Sequence, residues 1–426
     1  MAEKSSGTNQ PPSNQLNKTR RRFLQVASVG SVGIAGCTSF GLGEDETPAS
    51  QLSTLFPTWR GHDPTSAVTL QWLAPTEDSE PISVSVVAEN GEASSVDETE
   101  IVPFGDSELS RHRAVLTELE SDTSYRIAVA DEETELSIQT APTELTEPLT
   151  FAEGGDIGTS SSVPPLHEQA ASWDPLFGLV GGDLAYADGY DVGEWIAFLE
   201  DWNEYMRSGD RLIPLVAAIG GHELQGDDEF FGTPEEAPLY YALFDNVRRD
   251  HAYWALDIGD YLSILLLDSN HTTKVEGTQT EWLEGALAER TDRSHVMTTG
   301  HIPAYPSAKP IEDEERGDIR EHWVPLFEAY DVDIVFEHDD HSYKRTKRLR
   351  DGESAPDEGI LYVGDGAWGK GPREVYSSDE RPYLERSESE WYVLRTDISP
   401  DGSRQFQAIT VEGDVIDRFG ESDSLL

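Results

Sequence analysis

The sequence predicts an α/β domain that follows a small all-β domain. Between about residues 55 and 147, short segments alternate apolar and polar residues with the period of two that β-strands show. From 148 to 426, apolar positions at helical spacing lie between short apolar runs, the pattern of helices that alternate with buried strands. Strand alternation returns between about 390 and 420 and predicts strands that complete a sheet.

The composition is that of a folded, strongly acidic protein. The 426 residues include 82 Asp and Glu against 31 Lys and Arg, a net charge of −51, and only seven of the basic residues are lysines. Ten Trp, 15 Tyr and 14 Phe can anchor sizeable cores, which excludes a wholly disordered chain. An acidic surface repels phosphate backbones, so we expect no nucleic-acid binding. Dispersed acidic residues with scarce lysine predict adaptation to concentrated salt, which screens self-repulsion.

The first 37 residues predict an export signal. Thr19 to Gln25 (TRRRFLQ) resembles a twin-arginine signal, and the apolar run that follows is shorter than the roughly 20 residues of a membrane span. The run ends in IAGC, which looks like a lipobox with Cys37 as the lipidated residue. Residues 38–54 are a predicted flexible tether. We therefore expect the protein at the outer face of the cytoplasmic membrane, held by the lipid anchor alone, or secreted.

The region from 55 to 147 predicts a β-sandwich with a structural role. Its strand-like segments are 67–72, 82–87, 113–119 and 124–129. Leu119 precedes Tyr125 by six residues, a spacing that resembles the tyrosine corner of fibronectin type III domains. Nothing in this region has the character of a metal ligand or a nucleophile.

Beyond residue 148, carboxylates and imidazoles repeatedly follow the predicted strands. They are Asp156, Asp183, His222, His301 and the run from His338 to His341. Because ligands of an α/β sheet bind at the carboxyl ends of its strands, we expect these side chains to meet at one edge. Oxygen and nitrogen donors without a thiolate suit Fe, Mn or Zn, and two ions that share a carboxylate can activate a water and neutralise a phosphoryl group.

Other histidines and one aspartate are predicted to be structural. A single His is more often a satisfied core or surface residue, and a single Asp after a strand is usually a turn former. The residues placed in this group are His112, His167, His251, His271 and Asp268. Because Cys37 is the only cysteine, a disulfide framework and a CxxC zinc site are excluded.

The order of the motifs GDxG, GDxxY, GxHE, GHxP and HxxHxYxR resembles the calcineurin-like metallophosphoesterases and, within them, the purple acid phosphatases. The resemblance implies a four-layer α/β/β/α sandwich, and the preceding fibronectin-like domain fits it too. It also implies hydrolysis of small phosphate esters by a hydroxide that two divalent or trivalent metal ions activate at a dinuclear site.

The resemblance also assigns roles to individual residues. The side chains that would hold the first ion are Asp156, Asp183, Tyr186 and His341. Asp183 would bridge the two ions and His301 would bind the second. His222 would lie outside the coordination shell and help to place or protonate the phosphate.

The chain departs from this family pattern at the second ion. Gly221 stands where the family has an Asn ligand, and Asp339 stands where it has a His ligand. Water, Asp339 or Asp340 could fill the gaps, and His338 could substitute if its loop shifts. A carboxylate at position 339 would favour a harder metal such as Mn or Fe over Zn.

The leading prediction is a metal-dependent phosphoesterase, and there are two alternatives to it. The departures at Gly221 and Asp339 leave open a surface binding or structural protein on a degenerate phosphoesterase scaffold with only one metal site intact. A non-metal hydrolase is disfavoured, because the chain has no GxSxG motif and Cys37 lies in the signal.

Overall fold

A computed structural model of the chain describes residues 52–59, 61–76, 84–88, 93–96, 98–129, 132–226, 232–244 and 251–421. The predicted signal, its Cys37 and most of the predicted tether lie outside these residues and stay predictions. Leu52, at the end of the span predicted as tether, is buried in the main core together with Leu55. The end of that span is therefore part of the folded region.

Eight strands cover the described part of the region predicted as all-β. They are β1 (Phe56–Thr58), β2 (Val68–Pro75), β3 (Val84–Ala88), β4 (Ala93–Ser95), β5 (Glu98–Pro103), β6 (Leu109–Leu116), β7 (Ser124–Val129) and β8 (Glu132–Gln139). One antiparallel sheet has the order β1-β2-β6-β5, and a second contains β8-β7-β3-β4. Alternate residues of β2 and β3, among them Leu70 and Val86, share one core, which is what a period of two produces.

The Tyr125 phenol bonds back to the backbone a few residues upstream. Its hydroxyl oxygen accepts a hydrogen bond from the Glu120 N–H at 2.7 Å, and Leu119 and Tyr125 are both buried in the core. This geometry supports the resemblance to the fibronectin tyrosine corner, and membership of that fold stays a prediction.

The rest of the chain alternates strands and helices. The strands are β9 (Leu149–Gly154), β10 (Gly178–Val180), β11 (Arg207–Ser208), β12 (Arg211–Leu212), β13 (Leu215–Ala217), β14 (Trp254–Ile258), β15 (Leu262–Leu266), β16 (His295–Thr299), β17 (Ile334–Glu337), β18 (Tyr343–Thr346), β19 (Leu349–Arg350), β20 (Glu353–Ser354), β21 (Leu361–Gly364), β22 (Leu384–Glu388), β23 (Tyr392–Ile398), β24 (Arg404–Thr410) and β25 (Val415–Glu421). The helices are α1 (Val163–Ala171), α2 (Val192–Tyr205), α3 (Pro238–Phe244), α4 (Thr278–Ala288), α5 (Glu314–His322) and α6 (Val324–Ala329).

Two mixed sheets form the centre of this part. One has the order β13-β10-β9-β23-β24-β25, in which β9, β10 and β13 run parallel. Its last three strands confirm the prediction that residues 390–420 complete a sheet. The other has the order β14-β15-β16-β17-β21-β18-β22, in which β15, β16, β17 and β21 run parallel.

Alternation along the strands packs these sheets against each other and against helices. Phe151 of β9 contacts Phe336 of β17, with ring centroids 6.3 Å apart, in the core between the sheets. The neighbouring Ala152 faces the opposite way, into the cluster that α1 and α2 cover. Val335 likewise faces a third cluster, formed with α4, α5 and α6. The resulting layers are helix, sheet, sheet and helix.

The sequence predicts one helix over 318–330, and the structure has two. α5 ends at His322 and α6 begins at Val324, with Trp323 between them. Pro325 lies in the first turn of α6, where its missing N–H is tolerated. In the interior of one continuous helix its ring would clash with the carbonyl of Glu321.

The two parts of the chain share a sheet. β12 pairs in parallel with β8 at Arg211 and Ser137, so a strand from beyond residue 148 extends a sheet of the N-terminal part. Asn203 also donates a hydrogen bond to the Leu55 carbonyl at 2.6 Å. The domain boundary at 147/148 stays a prediction. Among the described residues, every helix is too short or too polar to cross a membrane.

Tyr125→Phe should lower the free energy of unfolding by about 1 kcal/mol, because it leaves the Glu120 N–H without its acceptor. Urea titration in high salt measures the change. Tyr190→Phe is the matched control, since Tyr190 is 66% exposed and should change stability by less than about 0.5 kcal/mol. Equal effects of the two substitutions would show that the corner hydrogen bond does not stabilise the fold.

Candidate metal centre

Three buried side chains from three different strand ends converge on one point. Asp156 follows β9, Asp183 follows β10 and His301 follows β16. One ligand atom of each lies within 4.8 Å of those of the other two, and all three residues are buried. The strand context alone led us to expect this meeting, and it occurs at the carboxyl ends of strands from both sheets.

Tyr186 and His341 join the group through Asp156. The Tyr186 hydroxyl donates to Asp156 Oδ1 at 3.0 Å, and His341 Nε2 lies 3.0 Å from both that oxygen and the hydroxyl. The four residues assigned to the first ion are therefore linked, through Asp156 and its neighbour Asp183.

His222 lies beside Asp183. Its backbone N–H donates to Asp183 Oδ1 at 2.9 Å, and its ring Nε2 lies 3.9 Å from Asp183 Oδ2. Its Nδ1 lies 2.6 Å from Asp188 Oδ1, and its ring packs 4.1 Å from the ring of Tyr186. Asp188 thus fixes the orientation of an imidazole at the edge of the site.

The candidate ligands sit on unusual backbone. Five have a positive φ: Asp156 (57°), Asp183 (55°), Tyr186 (56°), Asp339 (75°) and His341 (50°). Left-handed backbone costs a non-glycine residue about 1 kcal/mol or more, so surrounding contacts must hold these turns. For Asp183 those contacts include Glu223, whose carboxylate accepts the N–H groups of Asp183, Leu184 and Gly220 at 2.8–2.9 Å.

Charge is balanced within the group. Burial alone would raise the pKa of Asp183, but His301, His222 and the His222 N–H outweigh it and hold that pKa well below its usual range. Burial would lower the pKa of His301, but Asp183, Asp156 and Asp339 raise it to about 10. Burial, together with Asp156 and Asp183, raises the pKa of the Tyr186 phenol.

The residues at the first position fit a metal ion. Two buried carboxylates, a phenol and the His341 imidazole supply hard and borderline donors with no thiolate, the set that suits Fe, Mn or Zn. Metal binding here would release the proton that the Tyr186 phenol carries in its absence.

The second position fits an ion poorly. Gly221 has no side-chain donor, and the Asp339 carboxylate is held by Lys309 Nζ at 2.6 Å and Arg316 at 2.8 Å. His301 Nε2 is still near, 3.3 Å from Asp183 Oδ2 and 3.8 Å from Asp339 Oδ1.

The structure engages the two additional candidates elsewhere. The ring nitrogens of His338 face Glu153 Oε1 at 2.7 Å and the Gly300 carbonyl at 3.0 Å, and its side chain is fully buried. Asp340 Oδ2 accepts the N–H groups of Ala308 and Lys309. These contacts hold His338 in its present position and disfavour the loop shift that would let it act as a ligand.

Several residues near the site were not predicted from the sequence. His271, predicted to be structural, is buried with its ring 5.4 Å from that of His301, on a turn that the Asp268 carboxylate holds. Arg373 donates to the Asp339 carbonyl and lies 3.4 Å from His341 Nε2. Lysine is scarce in this chain, so the presence of Lys309 only eight residues after His301 could have marked it as a candidate site residue.

Comparison with known proteins shows the fold. No family model matches the chain. Purple acid phosphatase 18 of Arabidopsis thaliana is 27% identical over 292 residues, which cover 67% of this chain and 62% of that protein. The structure of purple acid phosphatase PPD1 from yellow lupin (Lupinus luteus) seeds has a TM-score of 0.69 at 16% identity, covering 87% of this chain and 74% of that one. PhoD has a TM-score of 0.67 at 11% identity, covering 87% and 90%. The chain therefore has a metallophosphoesterase fold.

Gly181→Ala should destabilise the protein by about 1–3 kcal/mol, because a Cβ there would overlap the ring of His338. Gly285→Ala is the control. Gly285 lies within α4, its Cβ would meet no atom within 4 Å, and the change should stabilise by about 0.5–1 kcal/mol. Thermal and urea unfolding should give changes in the free energy of unfolding of opposite sign for the two variants. If Gly181→Ala left this free energy unchanged, the ring of His338 would be free to move.

Proposed function

We propose that this chain is a metal-dependent hydrolase of phosphate esters. The observation that carries the proposal is the buried group of Asp156, Asp183 and His301 with ligand atoms within 4.8 Å, joined by Tyr186 and His341. The metallophosphoesterase fold supports it, and so do curated relatives named as phosphatases. The chain covers only about six tenths of the length of the first of these relatives.

A metal ion held in this group would activate a water for attack on phosphorus and offset charge on the phosphoryl oxygens. The chain's own residues do the remaining work. Asp156 and Asp183 supply the buried negative charge that retains the ion, and the left-handed turns direct both carboxylates to the same edge. Two ions were predicted from the family resemblance, and the second stays a prediction.

His222 is proposed to place the phosphate or to protonate the leaving oxygen. Its Nδ1 is held by Asp188, which leaves Nε2 on the side of Asp183. Its ring lines a small cavity together with Asp183, His301 and His341, so a bound phosphoryl group would lie within its reach.

The proposed substrates are phosphate monoesters, with diesters and nucleotides as further candidates. Basic side chains surround the cavity of an otherwise acidic chain. Lys309 and Arg373 line it, and Lys370 Nζ lies 3.4 Å above the ring of Tyr186. A small, polar and basic cavity suits the phosphate group itself better than a large leaving group.

Asp156→Asn should weaken Mn²⁺ binding at least about tenfold and lower hydrolysis of an aryl phosphate in parallel, because it removes a buried anionic ligand. Metal content by mass spectrometry and an assay with Mn, Fe and Zn in high salt measure both effects. Asp260→Asn, at a fully exposed carboxylate, is the control and should leave both unchanged. A native protein that binds metal yet hydrolyses nothing with any of the three metals would contradict the proposal and favour the binding-protein alternative.

His222→Asn should lower kcat about 10²–10⁴-fold, the usual effect of losing a group that transfers a proton, while metal content stays unchanged. Asp188→Asn should cause a smaller loss, since it only frees the ring to rotate. Steady-state kinetics and metal analysis on the same samples separate the roles. Loss of the metal from His222→Asn would show that His222 is a ligand instead.

A further inference from the structure

Two cations pair with Asp339, which stands where the family resemblance puts a ligand of the second metal ion. Lys309 Nζ is 2.6 Å from Asp339 Oδ1, and Arg316 is 2.8 Å from Asp339 Oδ2. His301 Nε2, the imidazole assigned to the second ion, is 3.8 Å from the same Oδ1. The ammonium of Lys309 therefore shares an oxygen with the ligand set of that position.

Lys309 is held in place by a built set of contacts. The buried carboxylate of Asp340 accepts its backbone N–H at 3.1 Å, and Arg381 donates to its carbonyl at 2.6 Å. Its side chain is only about one-quarter exposed, at 26%, and lines the same cavity as Asp183 and His222. An exposed lysine that paired by chance would have neither a fixed backbone nor this position.

The two departures from the family pattern and Lys309 make one consistent set. Gly221 removes a neutral donor, and Asp339 replaces a neutral imidazole with a negative charge. A buried carboxylate needs a cationic partner, and Lys309 and Arg316 supply two. A metal ion added beside them would meet their positive charge with one ligand fewer to hold it.

We infer that the chain binds one metal ion, held at Asp156 and Asp183, and that the Lys309 ammonium supplies the second positive charge of the site. The inference rests on the proposed function and states how that site is charged. Lys309 would donate hydrogen bonds to a phosphoryl oxygen from the side of His301, the role that a second cation would have. Arg316, 2.8 Å from Asp339 Oδ2, would keep the Asp339 carboxylate aligned for this purpose.

Metal counting tests the first half of the inference without an activity assay. Native mass spectrometry of the full chain loaded with Mn²⁺ in volatile salt should give one ion per chain. The triple variant Gly221→Asn, Asp339→His and Lys309→Met restores the missing donors and removes the ammonium, and it should bind two. Two tightly bound ions in the native chain would overturn the inference.

Binding of inorganic phosphate to the Mn²⁺-loaded protein tests the second half. Lys309→Met should weaken phosphate affinity by about tenfold to a hundredfold in calorimetry, the loss expected for one charge-assisted hydrogen bond. Lys309→Arg should recover most of it. Lys274→Met, at a side chain that is 67% exposed, is the control and should bind phosphate as the native chain does.

A second variant guards against misfolding. Lys309→Met with Asp339→Asn removes both charges of the pair, so no buried carboxylate loses its partner, and Arg316 keeps its ion pair with Asp313 at 2.7 Å. This variant should also bind phosphate weakly. Native-like phosphate affinity in both folded variants would overturn the role of Lys309. One ion per chain with Lys309-dependent phosphate binding, but no ester hydrolysis, would sustain the inference while the proposed function failed. Two ions with full activity would do the reverse.

Discussion

The site depends on keeping two carboxylates, Asp156 and Asp183, buried near each other where two sheets meet. Burying one charge costs several kcal/mol unless it is paired, and neighbouring like charges add to that cost. The chain meets it locally: the His222 N–H donates to Asp183, and the Asp339 N–H and the Tyr186 hydroxyl donate to Asp156. A metal ion would complete the compensation. The left-handed turns, and glycines such as Gly181 that pack closely against site residues, allow this many polar groups to meet at one edge.

The sequence predicted well those features that depend on short, repeated patterns along the chain. Each candidate ligand follows an apolar run, and the parallel order of β9, β10 and β13, and of β16 and β17, brings those run ends together. The helix predicted over 318–330 was wrong in one respect, because Pro325 begins a new helix instead of continuing the old one. The steric restriction of proline predicts this break in the helix, whereas the periodicity of apolar residues does not.

What the sequence did not predict was pairing between loops. Lys309, Arg316 and Asp339 are up to thirty residues apart and come from different elements, so their contacts depend on how three segments pack. The family pattern marks Asp339 as a departure without naming its partner. The position of His271 near the site was not predicted for the same reason, since its ring reaches His301 from a turn that Asp268 holds.

The overall charge of −51 gives the few cations at the site a particular importance. In dilute buffer an acidic surface would repel a phosphate ester at long range. At about 1 M salt the screening length falls to roughly 3 Å, so an incoming anion responds mainly to groups it nearly touches. Adaptation to concentrated salt stays a prediction. Under that condition Lys309, Lys370 and Arg373 would govern capture of the anion.

The parallel pairing of β12 with β8 joins one N-terminal sheet to the part of the chain that carries the candidate metal centre. A chain from which residues 1–147 were removed would lack Ser137, the partner of Arg211, and would leave the edge of β12 unpaired. Such an edge invites self-association. The N-terminal region therefore also covers the β12 edge, and a shortened chain would need another segment to cover it.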